Sequence, residues 1–158
     1  MKQLIFLFLG VAAFIIAVGL YSKTPLPQNS LSSVSAKKEI SIGNTKISVD
    51  VADSEEEKRK GLGERESLEE KEGMLFVYPE KTSGVLFWMK DMRFPIDIIW
   101  INENEIVKID KNVEVQTGVT DDKLKRYYPE TAIDFVLEVN AGFSDKNGIK
   151  VGDEVQIP

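Results

Sequence analysis

From residue 38 onward the chain alternates apolar and polar positions. Lys38-Glu-Ile-Ser-Ile42 and Thr45-Lys-Ile-Ser-Val-Asp-Val51 change side at every residue, the period of a half-buried strand. Gly43-Asn44 between them is a two-residue hairpin signal. Ser54-Glu-Glu-Glu57 then has the form of a capping box, with an acidic first turn. Lys58-Arg59-Lys60 suits a last turn and Gly61 a stop, so a helix of about two turns is predicted. Further strands are predicted at Gly73–Tyr78, ended by Pro79, and at Val85–Lys90, Ile96–Asn102, Glu105–Lys111, Ala132–Asn140 and Val155–Ile157. Asn102-Glu-Asn104 reads as a hairpin tip, and Asn140 as the cap of a short helix over 141–147. Residues 112–130 are polar and weakly periodic, a long loop of the kind that carries function or moves. The sum is a mainly β domain with two short helices (α+β). Short turns between strands favour a small, largely antiparallel barrel or strongly curved sheet, which leaves few open edges.

The pattern before residue 38 is different. Residues 4–21 are 18 apolar or small residues without a charge. At about 1.5 Å per residue such a helix nearly spans a hydrocarbon core of roughly 30 Å. The run exceeds an ordinary signal-peptide core, so residues 1–22 are read as one N-terminal transmembrane helix, an uncleaved signal-anchor. The alternative is export after cleavage near Ala17-Val18-Gly19. A short tail before a single apolar segment places the N-terminus inside and the following domain outside the cytoplasm. Residues 23–36, rich in serine with Pro25 and Pro27, form a flexible tether. Residues 37–158 make a single globular domain of ordinary size.

Composition narrows the chemistry. The chain has no histidine and no cysteine. Disulfides, thiolate nucleophiles, imidazole bases and thiolate or imidazole metal sites are therefore excluded. Residues 1–36 hold two of the 20 basic residues and none of the 26 acidic ones, which leaves residues 37–158 at net −8. A domain that acidic is a poor partner for phosphate backbones, so no nucleic-acid role is expected. No cofactor and no metal site is expected either. Asp145-Lys-Asn147-Gly148 lacks the oxygen spacing of a calcium loop and reads as a turn.

The strongest candidate for function is the run from Phe87 to Asp97. Lys90, Asp91, Arg93 and Asp97 are packed among Trp88, Phe94 and Pro95. Charge beside so much aromatic surface is a conflict of local chemistries, which functional sites tend to show. One reading is a polar pocket in which Lys90 and Arg93 contact an anion, Asp97 orients it and Trp88 forms a wall. The other is a turn whose charges pair with one another. Arg59 and Arg65 flank the end of the first helix and could join the same place. Glu138 shares one strand face with Val136 and Asn140; facing inward it would need a cation, with Lys90 or Arg59 as partner. Two enzymatic constellations are conceivable, a Ser83–Lys90 hydrolase and an Asp97/Glu138 carboxylate pair. No flanking motif activates either, so no catalytic residue is assigned.

Several segments together resemble one family. They are Arg59-Lys-Gly-Leu62 with Arg65, Gly73-Met-Leu-Phe-Val-Tyr-Pro79, Phe87-Trp-Met-Lys-Asp91, Pro95-Ile-Asp-Ile-Ile99, Val136-Leu-Glu-Val-Asn-Ala-Gly142 and Gly148-Ile-Lys-Val-Gly-Asp153. Their order and spacing over about residues 40–158 are similar to the bacterial and archaeal family called domain of unknown function 192. The resemblance implies a compact β-rich fold with short helices, often behind an export or anchor segment, and implies no activity. Family members commonly have Asn where Asp91 stands and Met where Gly63 stands.

These features lead to one expectation: a membrane-tethered, extracytoplasmic, non-catalytic ligand-binding or protein-interaction module. The expected partner is a small anionic ligand or an envelope protein. A hydrolase using Lys and carboxylates, or a structural accessory of an envelope complex, is the alternative.

Overall fold

The computed structural model describes residues 37–158. The predicted transmembrane segment and tether, residues 1–36, lie outside the described residues. Among the described residues no helix is long and apolar enough to cross a membrane.

Seven strands form one sheet: β1 (Lys38–Ile42), β2 (Thr45–Ala52), β3 (Glu72–Thr82), β4 (Ile96–Asn102), β5 (Glu105–Val113), β6 (Ile133–Asn140) and β7 (Val155–Gln156). Their spatial order is β5-β4-β6-β3-β2-β1-β7, and five of the six pairings are antiparallel. The exception is β2 with β3, which run parallel because the helix α1 (Glu55–Lys60) carries the chain across between them. The sheet curls into a half-barrel whose end strands approach each other. The Val155 amide donates to Asn104 O at 2.7 Å, and the Gly152 amide to Ile106 O at 2.8 Å. Those bonds cover part of what would otherwise be two open edges.

Curling gives the sheet two buried faces. The concave face holds Ile40, Ile47, Val49, Leu75, Ile99, Ile101, Leu137 and Val139, closed at one end by Phe143 of the short helix α2 (Phe143–Lys146). The convex face holds Met74, Phe76, Ile98, Trp100 and Val136. It is covered by Leu62, Leu68, Phe87, Met89 and Met92 from the segments after α1 and after β3. With both faces packed, β4 and most of β6 are buried at almost every position, although each residue still alternates side.

The hairpin at Gly43-Asn44, the capping box of Ser54 and Glu57, and the stop at Gly61 form as predicted. Three local predictions are corrected. Val85–Lys90 is not a strand: its one bridge joins Phe87 to Tyr127, with mutual amide–carbonyl bonds of 2.9 Å. Phe87 and Met89 point down onto the convex face instead of extending a ladder. Pro79 does not end β3. Pairing with β6 lapses between Val77 and Thr82, so a residue without an N–H is tolerated there. Asn140 does not cap α2, whose N-cap is Gly142. Its side chain instead donates to Leu68 O and Glu69 O at 2.9 and 3.0 Å, pinning the segment after α1 to the sheet.

Candidate functional site

The convex face is not covered completely. A groove of about 680 Å³ runs between α1 with Gly61–Glu64 on one side and Val85–Met92 on the other. Its floor is the sheet. Phe76, Tyr78 and Glu138 line it from below, and Leu62, Phe87, Trp88 and Met92 from the walls. Register explains the floor. Glu138 stands between Met74 of β3 and Ile98 of β4, and Val136 between Phe76 and Trp100. Side chains paired across strands share a face, so Glu138 lies in an apolar row.

The lips are held by backbone geometry. Glu64 and Asp91 both adopt left-handed conformations, φ 65° and 56°, and the Glu64 amide donates to Asp91 O at 2.8 Å. Short Asp or Asn tolerates that conformation better than most residues, which fits the Asp/Asn choice expected at position 91. Phe87 anchors the opposite wall by edge-on contacts to Phe76 and Trp100, with ring centroids 4.9 and 5.4 Å apart.

Glu138 is the unusual group. Its residue is 6% exposed, and among the described residues nothing donates a hydrogen bond to its carboxylate or lies in ion-pair range. Burial pushes its pKa up to about 8, against a weaker pull downward from the Arg65 charge. Tyr78 is pushed up to about 12 by burial, with smaller contributions from Glu55 and Glu138. The Lys58 ammonium lies 4.8 Å from the centre of the Tyr78 ring and 3.3 Å from Glu55.

Of the residues singled out in the sequence, Arg59, Trp88, Lys90, Asp91 and Glu138 line the groove. Lys90 points to Asp121, which holds its ammonium above the ordinary lysine range. Trp88 is 39% exposed and carries the Arg126 guanidinium 4.6 Å from its ring centre. Arg93, Arg65 and Asp97 do not line it. Arg93 pairs with Glu66, and Arg65 with Asp50 at 2.7 Å. Asp97 is wholly buried on the concave side, where its carboxylate accepts the amides of Asn112, Gly142 and Ser144 at 2.8, 3.1 and 2.9 Å. It ties β5 and α2 to β4. The expected turn-internal pairing of Lys90, Asp91, Arg93 and Asp97 does not form, because each cation finds its partner in a distant loop. The Asp97/Glu138 pair does not form because the two project to opposite faces. The groove residues missed in the sequence include Lys58, Phe76 and Tyr78. A signal for Tyr78 was present: it keeps the parity of Met74 and Phe76. Among the described residues no acidic cluster gathers that could hold a metal ion.

Comparison with known proteins defines the lineage. The profile of domain of unknown function 192, described as an uncharacterized ACR, matches residues 37–157. The chain belongs to this family. No curated protein matches it. Two solved structures share the fold. One is a candidate transcription regulator from Sinorhizobium meliloti 1021, 24% identical, with a TM-score of 0.68 over 77% of this chain and 93% of that one. The other is a protein of unknown function from Novosphingobium aromaticivorans DSM 12444, 26% identical, with a TM-score of 0.66 over 77% and 85%. These two structures support the fold described above. They bring no activity with them.

Proposed function

We propose that this domain is a non-catalytic small-ligand-binding module, tethered to the outer side of a membrane by residues 4–21, with the convex-face groove as its binding site. The observation that carries the reading is Glu138, a largely buried residue in an apolar floor whose unpartnered carboxyl group opens onto the groove. A buried polar group without a partner costs stability, and a ligand group is the natural means to satisfy it. The aromatic walls supply apolar contact, and the Glu64–Asp91 backbone bond fixes the two sides of the groove relative to each other. The tether reading is supported by the length and apolarity of residues 4–21.

Amide shift mapping of the full-length chain with three small probes, n-butanol, n-butylammonium and butyrate, tests the groove. Shifts at residues 61–64 and 85–92 with any of the three are expected. Failure of all three to perturb those residues at millimolar concentration contradicts the reading. Mass spectrometry of the protein recovered from membranes tests the tether, which requires residues 1–22 to be retained.

A second reading has one observation in its favour. The Phe87–Tyr127 bridge places Leu86 and Tyr128 on the outer side of the covering segment, 52% and 57% exposed, near Trp88. That exposed apolar surface suits contact with an envelope protein. Alanine at Tyr128, which does not line the groove, that abolishes recovery of a membrane complex with probe binding intact would favour it.

A further inference from the structure

We propose that the ligand is an organic cation, an ammonium group on a short apolar stem, with Glu138 as its counter-ion. This rests on the groove being the binding site and names the class of molecule that fits it.

The first argument is the unmet need of Glu138. The residue is more than nine-tenths buried, and its carboxyl group has no partner among the described residues and lines the groove. An ammonium ion satisfies it with both charge and N–H donors, the strongest pairing available to a carboxylate. A hydroxyl would satisfy it with a hydrogen bond alone. An anion could accept a hydrogen bond from the protonated acid but is repelled once Glu138 ionises, whereas an ammonium ion favours the ionised form.

The second argument is the balance of free charge along the walls. Of the groove's four cations, Lys58 is paired with Glu55 and Lys90 with Asp121, while Arg59 and Lys60 line it without an ion pair among the described residues. Glu56, Glu64 and Asp91 line the groove without an ion pair among the described residues. Three of the four cations that suggested an anionic ligand in the sequence, Lys90, Arg93 and Arg65, are occupied; counting Glu138, the groove's unpaired groups are four acidic side chains against two basic ones, and the domain as a whole is at net −8. Such a field concentrates cations near the groove mouth.

The third argument is the aromatic floor. The Tyr78 ring already holds an ammonium, that of Lys58, at 4.8 Å on the groove side of α1. Ring faces stabilise cations that have lost part of their water shell. Phe76, Leu62 and Met92 offer apolar surface for a stem of a few carbons.

Isothermal titration calorimetry of the full-length chain with n-butylammonium, n-butanol and butyrate, three probes of one size and different charge, tests this. The expected result is butylammonium binding at least ~10-fold more tightly than butanol, with butyrate weakest. In Glu138→Gln the preference for butylammonium over butanol falls to about twofold or less. Tyr78→Leu lowers the ratio of butylammonium to butanol affinity. Thermal melting confirms that each variant is folded. Butanol binding as well as butylammonium, or Glu138→Gln keeping the full preference, overturns the cation assignment and leaves the groove standing as a site. Tightest binding by butyrate overturns it as well. Absence of heat with all three overturns both readings together.

Discussion

Asp97 and Glu138 are buried carboxylates on adjacent strands, one register step apart, and they face opposite sides of the sheet. Asp97 pairs with Val139, and Ile98 with Glu138. Their surroundings differ as much as their directions. Asp97 accepts three backbone amides on the concave side, whereas Glu138 has none on the convex side. One carboxylate is consumed by the fold, and the other is left for the groove.

Glu138 makes stability depend on pH. Its pKa rises from an ordinary 4.5 unfolded to about 8 folded, so the native state holds a proton that the unfolded state releases. Stability therefore falls as pH climbs from 4.5 to about 8 and levels off above that. The groups facing it are Arg65, Tyr78 and, flanking it on β3 and β4, the apolar Met74 and Ile98. Tyr78, pushed up to about 12, stays neutral across the window. Denaturant melts at pH 5 and pH 8.5 should differ by a few kcal/mol, on the order of ~1.4 kcal/mol per pKa unit. Glu138→Gln should remove most of the difference and be the more stable protein at pH 8.5.

Asp97→Ala should behave in the opposite way. It leaves the amides of Asn112, Gly142 and Ser144 buried without their acceptor. Each orphaned donor costs on the order of 1–3 kcal/mol, so a loss of about 3 kcal/mol or more is expected in urea denaturation. Asp97→Asn keeps one carbonyl acceptor and should lose less. Neither variant should change which probes bind, provided it is folded at the assay temperature.

Much of this fold is legible locally. Strand alternation, the Gly43-Asn44 turn and the Ser54 box each depend on a few adjacent residues. The strand face of Glu138 was also legible, since parity puts it with Val136. Its burial was not. Both faces of β6 are covered, and the convex cover comes from residues 61–71 and 83–94, held by distant contacts such as Asn140 to Leu68. The same long-range closure hid the fates of Lys90, Arg93 and Arg65. Their partners Asp121, Glu66 and Asp50 lie on other segments, and charge spacing alone says nothing about which loop returns. Val85–Lys90 alternates as a strand does, but its alternation serves a plug of Phe87 and Met89 over a groove wall.

Gly73 shows how closely β3 and β6 approach beside Glu138. A Cβ added there would stand 2.8 Å from Glu138 O, with Leu137 and Val139 side chains at 3.1 and 3.2 Å. Backbone oxygen in a central ladder cannot retreat as a flexible side chain can. Gly73→Ala should cost about 2 kcal/mol or more, read from the shift in urea midpoint, and should also perturb the amides of β6.

Lys90→Ala gives the converse case. The Lys90–Asp121 bridge is exposed on both sides, and water and salt screen such pairs. Its melting temperature should stay within about 2 °C of the parent. A large loss would mean that the bridge, rather than Phe87 and Met89, holds the groove wall in place.

The most direct measurement is the titration of the Glu138 side-chain carboxyl, followed by carbon-13 NMR with Glu138→Gln as the assignment control. The account predicts a midpoint near 8 in the free protein, moving down when n-butylammonium is added. A midpoint near the ordinary 4.5, unmoved by the amine, would contradict a buried, unpartnered carboxyl waiting at the floor of a binding groove.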